Sequence, residues 1–299
     1  MLRAARQPIL LDLEYGGMPA RYGTENDPRD TATLIRFAVR AKTLVASRNC
    51  LKALAYRDPD EVLSAAESLC SHRHLRKRII GAEMAGRIGC TDVATAKRAS
   101  RMLTQMLLPD KSDRELRTAL KWICHFAQRG NLVGLGRIRA LARRPNAAVR
   151  LGVAQVLGSQ EDPASTKALI RLMSDPSPRV RDWATFAIGA LRSEDSARIR
   201  DALAARLDDE DEDAFAEAVY GLAKRNDNRG FAAMRREFDA GEPTSLVIRA
   251  AKEFGEGRFT ASLRRLLRES VTDKDIDPTW LSELESAVRA SSADAKQKR

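Results

Sequence analysis

An internal repeat of 31 residues constrains this chain more than any other feature of its sequence. The segment RPNAAVRLGVAQVLGS aligns with DPSPRVRDWATFAIGA so that a proline, a Val-Arg pair and a glycine coincide. The same spacing continues downstream in a series of apolar positions, Leu141, Leu172, Leu203 and Met234. A fixed period of about 20–50 residues is typical of stacked supersecondary units that cannot bury their apolar faces alone. The sequence therefore predicts a repeat architecture.

Each repeat unit is predicted to contain two helices. In residues 179–191 apolar or small side chains recur at helical spacing, after turn residues at 175–178. A second one-sided stripe follows the break at 193–196 and includes Ile199, Leu203 and Leu207. No segment of the sequence shows a convincing strand alternation. We therefore predict an all-α chain, with an irregular N-terminal arm over residues 1–30, an α-solenoid of about six helix pairs over 31–290 and a disordered basic tail over 291–299.

The order of residues within each unit resembles a known repeat. A turn Asp and Pro, a Val-Arg pair, spaced alanines, Leu-Gly or Ile-Gly and a second Leu-rich helix occur in 145–175 and 176–207, and weaker units extend over most of 64–267. This pattern resembles the HEAT repeat, in particular the short type related to phycobilisome-lyase HEAT-like repeats. The resemblance implies a superhelical stack of antiparallel helix pairs that binds a protein partner, usually on the concave face formed by the second helices. It also implies that Arg150 and Arg181 bond to turn aspartates of neighbouring units, for which Asp175 is suitably placed.

The positive charge of the chain is concentrated in its first half. Residues 1–150 hold 28 Lys and Arg against 14 Asp and Glu, whereas residues 151–299 hold 24 against 27, which together give the net charge of +11. Such an asymmetry is compatible with an anionic partner, whether nucleic acid, a membrane surface or an acidic protein. The acidic run DDEDED at 208–213 is interpreted as a solvated cap near a helix N-terminus, with binding of a basic partner, or of the basic half of a neighbouring copy, as the alternative.

Several cationic residues fall in register on the predicted second helices. Lys167, Arg198 and Arg229 are each 31 residues apart, and Arg171 lies one helical turn after Lys167. With the cations of earlier second helices they form a candidate surface for a partner or a polyanion, which we call the basic stripe: Lys97, Arg98, Arg101, Arg137, Lys167, Arg171, Arg198 and Arg229. Such a stripe could follow phosphates, although ordinary solvated helix surfaces also carry cations and the interleaved aromatics of single-strand binders are missing.

The sequence contains no complete set of metal ligands or catalytic residues. Cys70, His72 and His74, even with the distant Cys90 as a fourth candidate, form an incomplete zinc set, because structural zinc needs four ligands within tetrahedral reach. Cys124 and His125 are adjacent, so on a helix they point about 100° apart and cannot easily form a nucleophile–base pair. We therefore predict no metal, no cofactor and a non-catalytic role.

Asp182 next to Trp183 raises one enzymatic alternative. A family of HEAT-like alkylpurine DNA glycosylases pairs aromatic residues with a carboxylate in its cleft, but the resemblance is of fold alone. Packing is the favoured interpretation of Trp183, since aromatic side chains mostly contribute buried area. A glycosylase or a lyase-type auxiliary protein therefore ranks below the two binding hypotheses.

The sequence also predicts where the protein acts. Its four cysteines are widely spaced without a CxxC motif, which fits a reducing compartment. No apolar stretch approaches the ~18 residues of a membrane span, and the N-terminus lacks the core of a secretory signal. We predict a cytoplasmic scaffold that binds a protein partner through its solenoid surface, with a nucleic-acid-binding solenoid as the alternative.

Overall fold

The computed structural model describes residues 22–130, 134–241, 243–254, 257–271 and 276–297, without the side chains of 46 and 292–297. Within these ranges every regular element is a helix, which confirms the all-α prediction. Most of the predicted arm over 1–30 lies outside the described residues. The helices are α1 (Thr31–Arg40), α2 (Leu44–Leu54), α3 (Pro59–Cys70), α4 (Leu75–Ile88), α5 (Val93–Gln105), α6 (Asp113–Ala127), α7 (Leu135–Ala140), α8 (Ala147–Gly158), α9 (Pro163–Leu172), α10 (Pro178–Phe186), α11 (Ala197–Ala204), α12 (Glu212–Ala223), α13 (Asn228–Ala240), α14 (Ser245–Phe254), α15 (Thr260–Ser270) and α16 (Pro278–Gln297).

Two helices continue into tighter or wider turns. A 3₁₀ turn, Leu141–Arg143, follows α7, and a π-helical turn, Ala187–Leu191, follows α10. Helix α16 continues to Gln297, so residues 291–297 are helical where the sequence predicted a disordered tail. Alanine-containing sequence favours helix, and extending an existing helix avoids the cost of a new nucleus.

The helices form two compact units, Met1–Ala99 and Ser100–Arg299. In the first unit α1 packs on α2 and α3 packs on α4, around buried side chains such as Leu34, Leu63 and Ile80. In the second unit α6, α8, α10, α12, α14 and α16 pack one against the next, and we call them the first helices. The second helices α7, α9, α11, α13 and α15 pack against them. The second unit therefore has the two helical layers that the repeat predicts.

Short polar side chains cap the N-termini of several helices. Asp162 accepts a hydrogen bond from the backbone N–H of Ser165 at 3.0 Å, and Pro163 occupies the first position of α9. Asp211 accepts from the N–H of Ala214 at 3.0 Å, so this member of the acidic run caps α12 as predicted. These caps satisfy N–H groups that a helix leaves unpaired at its start.

Glycines allow the first helices to approach closely. A Cβ at Gly189 would lie 2.8 Å from the carbonyl oxygen of Glu217 and 3.2 Å from the Cα of Gly221, and a Cβ at Gly221 would lie 2.7 Å from the Cα of Gly189. Backbone atoms cannot move aside as a flexible side chain can. Glycine at these two positions therefore sets the separation between the end of α10 and α12.

We expect Gly189→Ala to lower the free energy of unfolding by about 1–3 kcal/mol, because overpacking forces the two helices apart. Gly136→Ala is the matched control, since an added Cβ at this helical position meets nothing within 4 Å. The control should be neutral or stabilise by up to about 1 kcal/mol, the usual gain of alanine over glycine in a helix. Chemical denaturation followed by circular dichroism measures both, and equal effects would show that the close contact does not matter.

Among the described residues, no helix combines the length and apolar character that crossing a bilayer requires.

Candidate functional site

All eight side chains of the basic stripe are exposed on helices α5, α7, α9, α11 and α13. Lys97 and Arg98 lie in the first unit, and the other six lie in the second. Within the second unit α9 carries Lys167 and Arg171, and α11 carries Arg198. The side chains of these three make no hydrogen bond or ion pair within the described part of the chain, so their charges face solvent.

Carboxylates neutralise other members of the basic stripe. Arg229 donates to Asp227 at 2.7 Å and to Asp201 at 2.8 Å, and these hydrogen bonds raise the pKa of its guanidinium above the ordinary value. Arg98 forms an ion pair with Asp60. The 31-residue spacing aligned Arg229 with Lys167 and Arg198. It could not reveal that Asp201 on α11 and Asp227 at the start of α13 pair with Arg229.

The first helices confirm the predicted role of the repeated arginines. Arg150 donates to both carboxylate oxygens of Asp175, at 2.6 and 2.7 Å. Arg181 pairs with Asp209 in the same way, at 2.7 and 2.8 Å, and also donates to the backbone carbonyl of Asp175 at 3.1 Å. We call these two pairs the arginine–aspartate ladder. The ladder joins α8 and α10 each to the turn that precedes the next first helix.

The interpretation of the acidic run as a solvated cap is wrong for Asp209. Its side chain is 1% exposed and accepts hydrogen bonds from Arg181, from Arg206 at 3.0 Å and from the backbone N–H of Asp211 at 3.0 Å. Burial alone would raise the pKa of Asp209, but the hydrogen bonds from Arg181 and the Asp211 N–H, with the charges of Arg181 and Arg206, hold it below its ordinary value. Asp209 is therefore a structural residue within a run that is otherwise mostly exposed.

Two buried arginines that the sequence analysis missed close the ends of first helices. Arg192 donates to the carbonyls of Leu157, at 3.0 Å, and of Gln160, and its side chain is 1% exposed. Arg225 donates to five carbonyls that include those of Ile188, at 2.9 Å, and Gly221, at 2.9 Å. Arg192 and Arg225 are 33 residues apart and follow a Gly of the repeat by three and four residues, which is the signal that could have identified them.

A groove opens beside the short helix α7. The connection between α5 and α6 forms one wall with Leu107, Leu108 and Pro109, and the other wall contains Gly136, Arg137, Ala140, Leu141 and Arg143. The groove has a volume of about 510 Å³, within the range of about 300–1,000 Å³ for ligand sites. Its lining is mostly apolar with arginines at the rim. Of the basic stripe, Arg137 alone lines it.

The cysteine and histidine residues were the candidates for metal binding and nucleophilic catalysis. His72 uses Nδ1 to accept from the backbone N–H of His74 at 3.0 Å. No group of three or more His, Cys, Asp or Glu side chains in the described ranges is placed to hold a metal ion. Burial raises the pKa of Cys124 to about 11, so this thiol is protonated at neutral pH and lacks the thiolate needed of a nucleophile.

Trp183 packs against the core, as the sequence analysis favoured. Its ring contacts Phe186 edge-on, with 5.5 Å between the centroids, and it lies against a buried cluster that includes Tyr220 and Val219. Trp280 packs against the same cluster and donates its indole N–H to the carbonyl of Pro243 at 2.8 Å.

Comparison with known proteins agrees with this geometry. Residues 135–223 match the family model for HEAT repeats. Protein YibA of Escherichia coli is 29% identical over 225 residues, which cover 72% of this chain and 78% of YibA. The X-ray structure of YibA aligns with 93% of this chain and 99% of the YibA chain, with a TM-score of 0.71 and 22% sequence identity. The crystal structure of Kap121p aligns with 87% of this chain and 32% of the Kap121p chain, with a TM-score of 0.55 and 12% sequence identity. The chain is therefore all-α, like these helical repeat proteins, and its residues 135–223 match HEAT repeats, as its sequence predicted.

Proposed function

We propose that this protein is a non-catalytic scaffold of the cytoplasm that binds a protein partner through its solenoid surface. The observation that carries the proposal is the apolar groove beside α7, because an apolar floor with a polar rim is the surface that a folded or extended polypeptide can bury. The repeated Arg and Asp side chains support it indirectly. They hold neighbouring units together in the arginine–aspartate ladder, so they are not available for chemistry.

Nucleic-acid binding is the second candidate, and the exposed cations of α9 and α11 favour it. Lys167, Arg171 and Arg198 could each neutralise a phosphate. The stripe is short, however, because Asp201 and Asp227 already occupy Arg229 on the next second helix. Few free cations in a row give little counterion release, so this surface supports the second hypothesis less well than the groove supports the first.

The test uses the tagged protein and a variant that reverses three charges, Lys167→Glu, Arg171→Glu and Arg198→Glu. Partners are recovered from native lysate with and without nuclease, at low and moderate salt. The affinity of each purified partner is then measured for the wild-type protein and for the variant. We expect one stoichiometric protein that resists nuclease and binds the variant within about twofold of wild type, since exposed charges contribute little to protein affinity. Recovery of nucleic acid that the variant loses, and that falls about tenfold or more as salt rises, would establish the second candidate instead.

A further inference from the structure

The groove beside α7 has the properties of a site for one kind of peptide segment. We propose that it binds an extended segment of the partner protein in which an Asp or Glu lies next to large apolar side chains. This inference rests on the proposed scaffold function and specifies the chemistry of the partner. Four features of the groove support the inference: its apolar floor, the hydrogen bonds that fix its walls, the positive charge of its rim and the absence of a side chain at Gly136.

Apolar side chains form the floor. Leu107 and Leu141, at the base of the two walls, are almost fully buried, while Leu108 is half-buried and Pro109 is exposed. An apolar side chain that enters this groove removes its own surface and that of the floor from water, at about 25 cal/mol for each Å². The floor therefore favours a ligand with apolar anchors over a purely ionic one.

Two arginines fix the walls of the groove before any ligand arrives. Arg144 reaches from the end of α7 to the opposite wall, where it donates to the carbonyl of Pro109 at 2.7 Å, the carbonyl of Lys111 at 3.0 Å and the carboxylate of Asp113 at 2.9 Å. Arg137 donates to the carbonyl of Thr104 at 3.2 Å. A site that is already held open loses less conformational freedom on binding.

The rim carries positive charge that its own carboxylates do not cancel. Asp113 is engaged by Arg144, and Asp110 faces Lys111 at 3.8 Å. Arg143 is exposed and its side chain has no hydrogen bond or ion pair within the described ranges, and Arg137 uses one of its five N–H donors. A carboxylate that reaches Arg143 forms a charge-assisted pair with its guanidinium. The charge of the rim thus selects an acidic segment.

Gly136 leaves one wall without a side chain. An added Cβ there would meet nothing within 4 Å, so packing does not require glycine at this position. The open wall also supplies the sharpest variant, because Gly136→Trp adds an indole to a residue that lines the groove and whose Cβ position is free of contacts. Arg143→Glu reverses the charge of the rim, and Arg198→Glu is the matched control, since it makes the same charge change on an exposed cation outside the groove.

The experiment probes the full-length protein and the three variants with an array of random eight-residue peptides. We expect wild type and Arg198→Glu to select peptides in which Asp or Glu adjoins Leu, Ile or Phe. Gly136→Trp should lose this selection entirely, and Arg143→Glu should keep apolar residues but no longer enrich acidic ones. For the best peptide, fluorescence anisotropy should give a Kd at least about tenfold weaker for Arg143→Glu than for Arg198→Glu. Circular dichroism checks that each variant unfolds at the wild-type temperature.

Four outcomes would overturn the inference. Absence of any selection by wild type, or selection that Gly136→Trp retains, shows that the groove does not bind peptides of this kind. Selection of acidic peptides without apolar residues indicates a general polyanion surface. The scaffold function is judged separately by capture of the lysate partner: if Gly136→Trp still binds that partner, the groove inference fails alone, and if wild type captures no protein, the scaffold proposal fails as well.

Discussion

Replacing Asp209 with Asn is expected to lower the free energy of unfolding by about 3 kcal/mol, the lower end of the range for breaking a buried ion pair. The Asp209 carboxylate holds Arg181 and Arg206, whose side chains are themselves largely buried. An asparagine amide has one acceptor oxygen and no charge, so it leaves both guanidinium groups with uncompensated positive charge. Chemical denaturation followed by circular dichroism measures the loss.

Asp208→Asn is the matched control for this prediction. The Asp208 side chain is 90% exposed, and its nearest cation is Arg236 at 4.0 Å. An exposed pair of this kind contributes little, so the control should stay within about 0.5 kcal/mol of wild type. Equal losses in the two variants would mean that the arginine–aspartate ladder does not stabilise the stack.

The effect of Asp209 should also depend on pH. Its pKa in the folded protein lies below the ordinary value, so its stabilising contribution is complete above the unfolded pKa of about 4 and is lost as pH falls through the lower folded pKa. The difference between wild type and Asp209→Asn should therefore be constant from about pH 7 to pH 5 and shrink below about pH 4. A difference that grew on acidification would contradict the lowered pKa.

Arg225→Met should lower the free energy of unfolding by at least about 3 kcal/mol, because it removes the donor to several buried carbonyls and each orphaned acceptor costs about 1–3 kcal/mol. The side chain of Arg225 is 4% exposed, and its guanidinium joins the end of α10 to α12 through Gly189 and Gly221. Methionine fills similar volume and has no hydrogen-bond donor. Thermal and chemical denaturation give the size of the effect.

Lys224→Met provides the adjacent control. Lys224 donates one hydrogen bond to the carbonyl of Ala190 at 2.8 Å from an exposed position, where water can replace it. We expect a loss below about 1 kcal/mol. If Arg225→Met cost no more than Lys224→Met, water would have to reach the carbonyls that Arg225 now satisfies, and its role as a helix cap would be disproved.

Those features that depend on spacing along the chain were predictable from the sequence. The repeat located the helix pairs, and the partnership of Arg150 with Asp175 followed from residues in register. Arg181 shows the limit of this reasoning, because its partner Asp209 lies within an acidic run that composition alone describes as solvated.

Other features depend on irregular segments that no period describes. The groove is formed by the connection after α5 and by the short helix α7, both of which depart from the repeat. Arg225 donates to the carbonyls of Ile188 and Gly189, which lie in the π-helical turn that follows α10. Apolar periodicity does not reveal whether a helix ends in such a wider turn, because the helix end then differs by a single residue.

The two buried arginines imply that the stable pieces of this chain do not coincide with its sequence repeats. Arg192 follows the helix and π-turn of one repeat, yet it closes the end of α8 in the repeat before. A fragment cut after Leu191 would contain all of α8 but not the guanidinium that donates to the carbonyls of Leu157 and Gln160. The repeats of α8 and α10 are thus each completed by the first residues beyond the next first helix, so excision or transplantation of either unit has to include that extra helix and its arginine.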